Sequence, residues 1–177
     1  SAEKRKEPLK VLWLGTATIR KGIPYFVEAA RQLRSENIEF YVAGSVAIRN
    51  EAVDAAPKNI DWMGHIPRAQ VPELLCCADV HVLPTLSDGF GMSQLEALAH
   101  GVPVITTPNC GRVVEDGKTG LLIEPRNTEA LVEALRRLEK NRWMLQEMAF
   151  RCAEAASRFT IDSYGERLCA LLKEHVN

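Results

Sequence analysis

Short apolar runs alternate with segments of helical periodicity along most of the chain. The runs predict six buried strands, at 10–15, 39–44, 60–64, 80–85, 102–107 and 120–125. The remaining patterns predict helices at 23–34, 67–78, 91–100, 127–140, 141–157 and from Thr160 to near the end. Strands that are apolar throughout and separated by helices are typical of a parallel sheet covered on both faces. The sequence therefore predicts an α/β protein with about six parallel strands.

Several helices carry an apolar stripe that should face the core. The stripe of the first helix comprises Phe26, Ala29, Ala30 and Leu33. The stripe of the 127–140 helix, which begins with a polar cap, comprises Ala130, Leu131, Ala134, Leu135 and Leu138. In the last helix Thr160 is a candidate cap, and we expect Ile161, Tyr164, Leu168, Leu171 and Leu172 to face inward.

The composition and charge of the chain exclude several classes of function. The chain has 177 residues, 46% of them hydrophobic, and a formal net charge of −1. This suits one globular domain and gives no bulk attraction to nucleic acid or an anionic membrane. No apolar run approaches the length of a membrane span, and the charged start is unlike a signal peptide.

The five cysteines form no recognisable metal or redox motif. They are scattered, without C-x-x-C or zinc-type spacing, which favours a reducing cytoplasm. Adjacent Cys76 and Cys77 fall in a predicted helix and are expected to be small packing residues.

The stretch LSDGFGMSQLEALAHG (86–101) carries the candidate chemistry. A helix begins inside it, and the free N–H groups and dipole of a helix N-terminus favour phosphate. Gly89 and Gly91 allow close approach of the backbone to a ligand. Asp88 and Glu96 flank this turn, and carboxylates accept hydrogen bonds from vicinal hydroxyls. Two acids around a phosphate-binding turn suggest a nucleotide sugar, with one acid for each sugar.

Simpler interpretations exist for both acids. Ser87 or Asp88 could cap the helix, and Glu96 could be a solvated helix residue. The neighbours of Glu96 are apolar, however, so this side chain is expected to be partly buried and to need a partner.

The stretch DGFGMSQLEALAHGVPVITT resembles the signature of the retaining, group-1 glycosyltransferases of the GT-B fold. That signature has two acids separated by seven residues around a G-F-G turn, followed by E-A-x-A-x-G-x-P-V-I. The resemblance implies that Asp88 contacts the transferred sugar and that Glu96 holds the nucleotide ribose. It implies backbone donors to phosphate or sugar at Phe90, Gly91 and Met92. Asp88 stands where the family usually has glutamate, which draws the carboxylate back by one methylene.

The segment WLGTATIRKGIPYFVEAA (13–30) resembles the family's G-R-x(4)-K-G pattern. Gly15, Lys21 and Gly22 match, whereas Thr16 falls where the family has arginine. Arg20 lies beside Lys21 and could compensate; the simpler interpretation is an exposed loop pair. A diphosphate leaving group needs its charge neutralised. Because the chain has no D-x-D pair, we expect basic side chains and a helix N-terminus to do this without metal or cofactor.

The remaining motifs occur in the family's order. Residues 62–91 resemble a stretch whose backbone near Gly64–Ile66 lies against the nucleobase, where His65 could flank the base or simply be solvated. Residues 107–125 match an E-D-G-x-T-G-x-L segment, in which Glu115 is expected to be structural.

The resemblance implies the C-terminal, Rossmann-like half of a GT-B fold, with a single donor-binding domain over 9–177. The expected donor is a UDP-, GDP- or ADP-linked sugar. We expect the acceptor-binding N-terminal domain to lie outside this chain or to be supplied by a partner subunit, and we therefore expect the chain alone to transfer no sugar. The protein is expected to be cytoplasmic, and any peripheral contact with a membrane is expected to come through that further domain.

Two other classes compete with this hypothesis. A non-catalytic nucleotide-binding or interaction module of the same fold would look similar, and Thr16 keeps this alternative open. A dinucleotide-dependent oxidoreductase is disfavoured because Gly15 does not begin a G-x-G-x-x-G pattern, and no P-loop occurs either.

Overall fold

Six strands form one parallel sheet in the computed structural model, which describes residues 7–175. The strands are β1 (Leu9–Leu14), β2 (Ile38–Ala43), β3 (Ile60–Gly64), β4 (Val80–Leu83), β5 (Val104–Thr106) and β6 (Gly120–Leu122). Their order is β3-β2-β1-β4-β5-β6, and each neighbouring pair is parallel. This Rossmann order reverses between β1 and β4, so the predicted α/β class and strand number are confirmed.

Helices cover both faces of the sheet. They are α1 (Ile23–Gln32), α2 (Asn50–Asp54), α3 (Val71–Cys76), α4 (Met92–Ala99), α5 (Thr128–Lys140), α6 (Arg142–Ser157) and α7 (Ile161–His175). A 3₁₀ turn at Arg68–Gln70 leads into α3. Helices α1 and α5 pack together over one face, while α3 and α4 cover the other. Helix α6 joins both layers, because Leu145 and Met148 enter the first core and Cys152 and Ala156 the second.

Three aromatic rings fill the core between the sheet and α1. Trp13, Phe26 and Phe40 are fully buried and pack edge to face, with ring centroids 5.7 Å and 5.5 Å apart. The predicted stripe of α1 is confirmed, since all four of its members are buried. Edge-to-face pairs add directional stability to the burial of apolar area, which makes this core a firm base for β1.

The predicted caps of α5 and α7 are confirmed, and α6 begins at a cap that was not predicted. Asn127 Oδ1 accepts a hydrogen bond from Ala130 N at 2.9 Å, and Asn141 Oδ1 accepts one from Met144 N at 3.0 Å. Thr160 Oγ1 accepts from Ser163 N at 3.1 Å at the start of α7. The stripe of α5 is buried except for Ala130, which is half-buried.

The expectation that the apolar side chains of α7 face inward is wrong. Ile161 is 89% exposed and Tyr164 62%, and Leu168, Leu171 and Leu172 are also exposed. The physical reason is that α6 already closes both helical layers, so α7 starts outside the core. The periodicity of the sequence identified the helix and its apolar stripe, but it does not show whether another element packs against that stripe.

The expectation for the adjacent cysteines is also wrong. Cys76 and Cys77 are both exposed, because the short helix α3 buries only Leu75. Cys77 lines an apolar hollow of about 340 Å³ between α3 and the face of β1 and β2, together with Tyr41.

Helix α2 was not predicted; it has five residues, none of them buried. Strands β5 and β6 are each three residues long, shorter than the apolar runs that contain them.

Within residues 7–175, no helix combines the length and the apolar content that a membrane crossing requires.

Gly22 lets the loop after β1 approach the loop after β4. Its φ is 88°, and a Cβ at this position would overlap the carbonyl oxygen of Pro84. The glycine thus fixes the spacing of the two loops that surround the candidate site.

Replacing Gly22 by alanine should destabilise the fold by about 2–4 kcal/mol, the sum of left-handed backbone strain and a backbone clash. Gly117→Ala is the matched control, because Gly117 has φ 72° but a Cβ there would meet nothing within 4 Å. The control should lose only about 1–2 kcal/mol. Urea unfolding measures both; equal losses would contradict the proposed packing against Pro84.

Candidate functional site

A crevice opens at the carboxyl edge of the sheet, between β1 and β4. The chain leaves β1 towards α1 on one face and leaves β4 towards α4 on the other, which is where ligands bind in such sheets. A glycine stands at the carboxyl end of each of the strands β1, β2 and β3: Gly15, Gly44 and Gly64. Gly15 N donates to Ala43 O at 2.8 Å, and Gly44 N donates to Gly64 O at 2.7 Å. These turns hold the edge of the crevice in a fixed backbone geometry.

The loops after β1 and β4 are hydrogen-bonded to each other through Arg20. Its carbonyl oxygen accepts from Leu86 N at 2.9 Å and from Thr85 Oγ1 at 3.3 Å. Its guanidinium Nη1 donates to Ser87 O at 2.6 Å. These bonds hold Arg20 and the adjacent Lys21 against the start of the LSDGFG turn.

Asp88 lies between two cations. Its Oδ1 is 3.5 Å from Arg20 Nη1, and its Oδ2 is 3.6 Å from Lys21 Nζ. The side chains of Asp88 and Lys21 are only 14% and 21% exposed, so Lys21 is not a solvated loop residue, whereas Arg20 is 56% exposed. Lys21 Nζ lies against Gly15, where a Cβ would come within 3.4 Å of it. Two positive charges therefore face one negative charge at the end of β1.

Asp88 does not cap α4. The cap of this helix is Gly91, in the left-handed region with φ 72°, and no side chain caps it. Asp88 Oδ1 accepts instead from Gly89 N at 2.9 Å. Its Oδ2 is buried and has no hydrogen-bond partner among the described residues. The capping interpretation is excluded, and the carboxylate is directed towards the cations.

The G-F-G turn is anchored from below by Gln94. The buried amide donates from Nε2 to Phe90 O at 2.6 Å and to Gly111 O at 2.8 Å. Phe90 is 37% exposed and packs edge to face on Phe159, whereas Met92 is largely exposed. The first N–H groups of a helix point out of its N-terminus, where the dipole adds positive potential. In α4 one of them, Gln94 N, donates to Gly91 O at 2.9 Å.

Glu96 lies one turn further along α4 and faces the turn after β3. Its side chain is 35% exposed, and Oε1 is 3.9 Å from Arg68 Nη2. The expected partial burial of Glu96 is confirmed. Gly64 has φ 68°, and His65 beside it is exposed, as is Thr16 at the end of β1. Arg68 itself is 95% exposed, so this contact shows only that the segment after β3, which begins at Gly64 and His65, runs past the side of α4 that carries Glu96.

Glu115 has structural partners, as expected. Its carboxylate contacts Lys118 Nζ at 3.1 Å and Arg158 Nη1 at 2.9 Å. These two cations lower the pKa of Glu115, with the hydrogen bond from Lys118 the largest cause. The pair with Arg158 connects the loop after β5 to the C-terminal end of α6.

Sequence reasoning missed His81, which lies in β4 beneath α4. It is fully buried, with Nδ1 3.0 Å from Leu12 O and Nε2 3.1 Å from Ser93 Oγ. Burial lowers its pKa to about 4, and the charge of Lys21 also lowers it, against the opposing effect of the Leu12 hydrogen bond. The available signal was one ionisable residue inside the apolar strand VHVL.

No cluster of three or more His, Cys, Asp or Glu side chains suited to a metal ion occurs within residues 7–175.

Fold and site together define a Rossmann-like α/β domain with a cationic crevice at its topological switch point. Residues 8–141 match the family described as Glycosyl transferases group 1. The chain belongs to this family.

Individual relatives agree with this assignment. The chain is 30% identical to a D-inositol 3-phosphate glycosyltransferase of Paenarthrobacter aurescens over 191 residues, covering 95% of this chain and 46% of the relative. It is also 30% identical to a glycogen synthase of Mycobacterium tuberculosis over 141 residues, covering 75% of this chain and 34% of the relative. The chain thus spans less than half the length of these relatives.

The fold matches that of a solved structure. Anabaena Alr3699/HepE, solved in complex with UDP, superposes with a TM-score of 0.81 at 18% sequence identity. The match covers 95% of this chain and 49% of that one. The expected GT-B type of sheet is confirmed.

Acidification should weaken the fold through His81. Because the folded imidazole stays neutral down to about pH 4 while the unfolded one protonates near 6.5, the native state loses stability as the pH falls between these values. The full loss is on the order of 3 kcal/mol. Between about pH 7 and pH 4.5, the free energy of unfolding of His81→Asn, measured with urea, should fall less than that of the wild type. In the variant only the carboxylates contribute to the loss of stability over this pH range. His65→Asn, at an exposed histidine, should follow the wild type; parallel losses in all three proteins would contradict the assignment.

Proposed function

We propose that this chain binds a nucleotide-diphosphate sugar in the crevice and presents it for retaining transfer of the sugar to an acceptor. The observation that carries the proposal is the convergence of Lys21, Arg20 and the N-terminus of α4 at the switch point of the sheet. Three sources of positive potential at one place suit a diphosphate, which leaves as an anion when the sugar is transferred.

Lys21 and Arg20 neutralise the leaving group in this proposal. Lys21 is partly buried beside Gly15, so its charge is screened less than that of a surface lysine. Arg20 supplies the second charge that Thr16 lacks, and its contact with Ser87 O holds it at the crevice. This arrangement favours the catalytic hypothesis over a module that has lost its phosphate contacts. The UDP bound to HepE supports a nucleoside diphosphate as the ligand class.

Glu96 binds the ribose in this proposal. Its pair with Arg68 is long, at 3.9 Å, so the carboxylate can accept from two vicinal hydroxyls without breaking a strong bond. The turn of Gly64 and His65 then borders the nucleobase, since the neighbouring Arg68 reaches Glu96.

Asp88 serves the transferred sugar. Its carboxylate is 14% exposed and has unused acceptor capacity, since Gly89 N donates to Oδ1 and no described residue donates to the buried Oδ2, so the exposed part can accept a hydrogen bond from a sugar hydroxyl. Amides of the 89–92 turn lie next to it and serve phosphate or sugar. Transfer also requires an acceptor oxygen held near the anomeric carbon. The relatives are more than twice as long as the matched segment, and we assign acceptor binding to a further domain or a partner subunit.

Nucleoside diphosphate binding should not require metal, because the positive charge comes from Lys21, Arg20 and α4. Calorimetry with UDP, GDP and ADP in EDTA measures this directly and also identifies the base. Lys21→Met should weaken binding by about ten- to a hundredfold, as expected for a charge-assisted hydrogen bond. Lys58→Met, at an exposed lysine away from the crevice, is the control for the lost charge. Binding that occurs only with added Mg²⁺ or Mn²⁺ would contradict the metal-free site.

Glu96→Ala should weaken UDP binding about ten- to a hundredfold, since charged hydrogen bonds to the ribose are lost. Asp88→Ala should leave bare UDP less affected and should instead reduce the preference for sugar nucleotide over UDP. Glu147→Ala removes the same charge from an exposed ion pair on α6 and should change neither affinity. Equal losses of UDP affinity for Glu96→Ala and Asp88→Ala would refute the division of roles.

A further inference from the structure

A buried imidazole lies directly beneath the first turn of α4. His81 connects three elements, because it lies in β4, its Nδ1 is 3.0 Å from Leu12 O of β1, and its Nε2 is 3.1 Å from Ser93 Oγ of α4. Ser93 is the second residue of α4 and is half-buried. Its hydroxyl therefore lies between His81 and the first turn of α4.

The hydrogen bonds of His81 determine where its proton lies. A carbonyl oxygen can only accept, so Nδ1 must carry the hydrogen that is shared with Leu12 O. Burial keeps the ring neutral near neutral pH, since it lowers the pKa to about 4. Nε2 then has a free lone pair, and the hydroxyl of Ser93 is the donor to it. Ser93 consequently has no proton left for a ligand.

We propose that His81 is a positioning residue of the donor site: by taking the proton of Ser93, it leaves Ser93 Oγ as a pure acceptor, which binds a ligand hydroxyl and discriminates against a phosphate oxygen. This role rests on the proposed function and adds a specificity element to it. Phosphate is then held by the amides of α4 and by Lys21, while Ser93 receives a hydroxyl of the ribose or of the transferred sugar.

The discrimination has a direct physical cause. A phosphate oxygen is an acceptor, so binding it would require Ser93 to withdraw its proton from His81. That would leave the buried Nε2 without a partner, which is unfavourable. A ligand hydroxyl donates to Ser93 Oγ without disturbing the bond to His81. The site thereby favours a sugar nucleotide over inorganic phosphates that compete for the same cations.

Two amide substitutions separate the bond to Ser93 from the bond to Leu12. In His81→Asn the amide nitrogen can still donate to Leu12 O, but the side chain is too short to reach Ser93, whose proton becomes free. In His81→Gln the longer amide can accept the Ser93 proton. Thermal unfolding in the absence of ligand verifies that both variants are folded.

Inorganic pyrophosphate and UDP-glucose are the probes, measured by calorimetry. His81→Asn should bind pyrophosphate about five- to tenfold more tightly than the wild type, because Ser93 can now donate to it. His81→Gln should stay within about twofold of the wild type. Adding Ser93→Ala to His81→Asn should abolish the gain, which identifies Ser93 as its source. Ser93→Ala alone should weaken UDP-glucose binding but not pyrophosphate binding.

A loss of pyrophosphate affinity in His81→Asn, an unchanged affinity, or a gain that survives Ser93→Ala would overturn the role of His81. Nitrogen chemical shifts of wild-type His81 give a test that needs no variant. They should show Nδ1 protonated and Nε2 unprotonated between about pH 5 and pH 8, and a protonated Nε2 would overturn the proposal. Failure of the wild type to bind UDP, UDP-glucose or pyrophosphate would instead refute the donor site itself, and this role with it.

Discussion

The parallel pairing of β1 with β4 is the constraint on which the site depends. These strands are adjacent in the sheet but separated in sequence by two strands and their helices. Because the chain departs from them towards opposite faces, no helix crosses the edge between them. The loops that follow are drawn together by the carbonyl of Arg20 and by the close approach of Gly22 to Pro84. The crevice is therefore a consequence of topology, and its width is set by backbone contacts.

Charge within the crevice is arranged before any ligand binds. Lys21 and Asp88 are mostly buried, and burial of one charge is tolerable only with the other nearby. Arg20 adds a second positive charge at the mouth, and the α4 dipole adds more. The resulting excess of positive potential is local, although the whole chain has a formal net charge of −1. The composition therefore did not indicate this local positive potential.

Buried polar groups hold the turns of the crevice from beneath. Gln94 bonds the carbonyls of Phe90 and Gly111, while Thr106 Oγ1 donates to Leu83 O and Thr107 Oγ1 donates to Thr85 O. Each is a side chain that donates to a backbone carbonyl at the end of a strand or in the loop beyond it, where the ladder of sheet hydrogen bonds ends. Such bonds restrict the movement of the turns and hold the N-terminus of α4 in a fixed position relative to the sheet.

Sequence by itself determined the class of fold, the strands and most helices, because burial on both faces requires uninterrupted apolar runs and a covered helix requires a stripe. It also identified Asp88, Glu96, Lys21 and the G-F-G turn, since these lie in contiguous motifs. Their roles towards a ligand remain predictions.

Only the tertiary structure decided which partner each side chain meets. It directed Asp88 to Arg20 and Lys21, joined His81 to Ser93, and left the apolar stripe of α7 exposed. The physical reason is that periodicity reports which face of an element is apolar. Contacts between elements distant in the chain depend instead on strand order and helix packing, which no local pattern encodes.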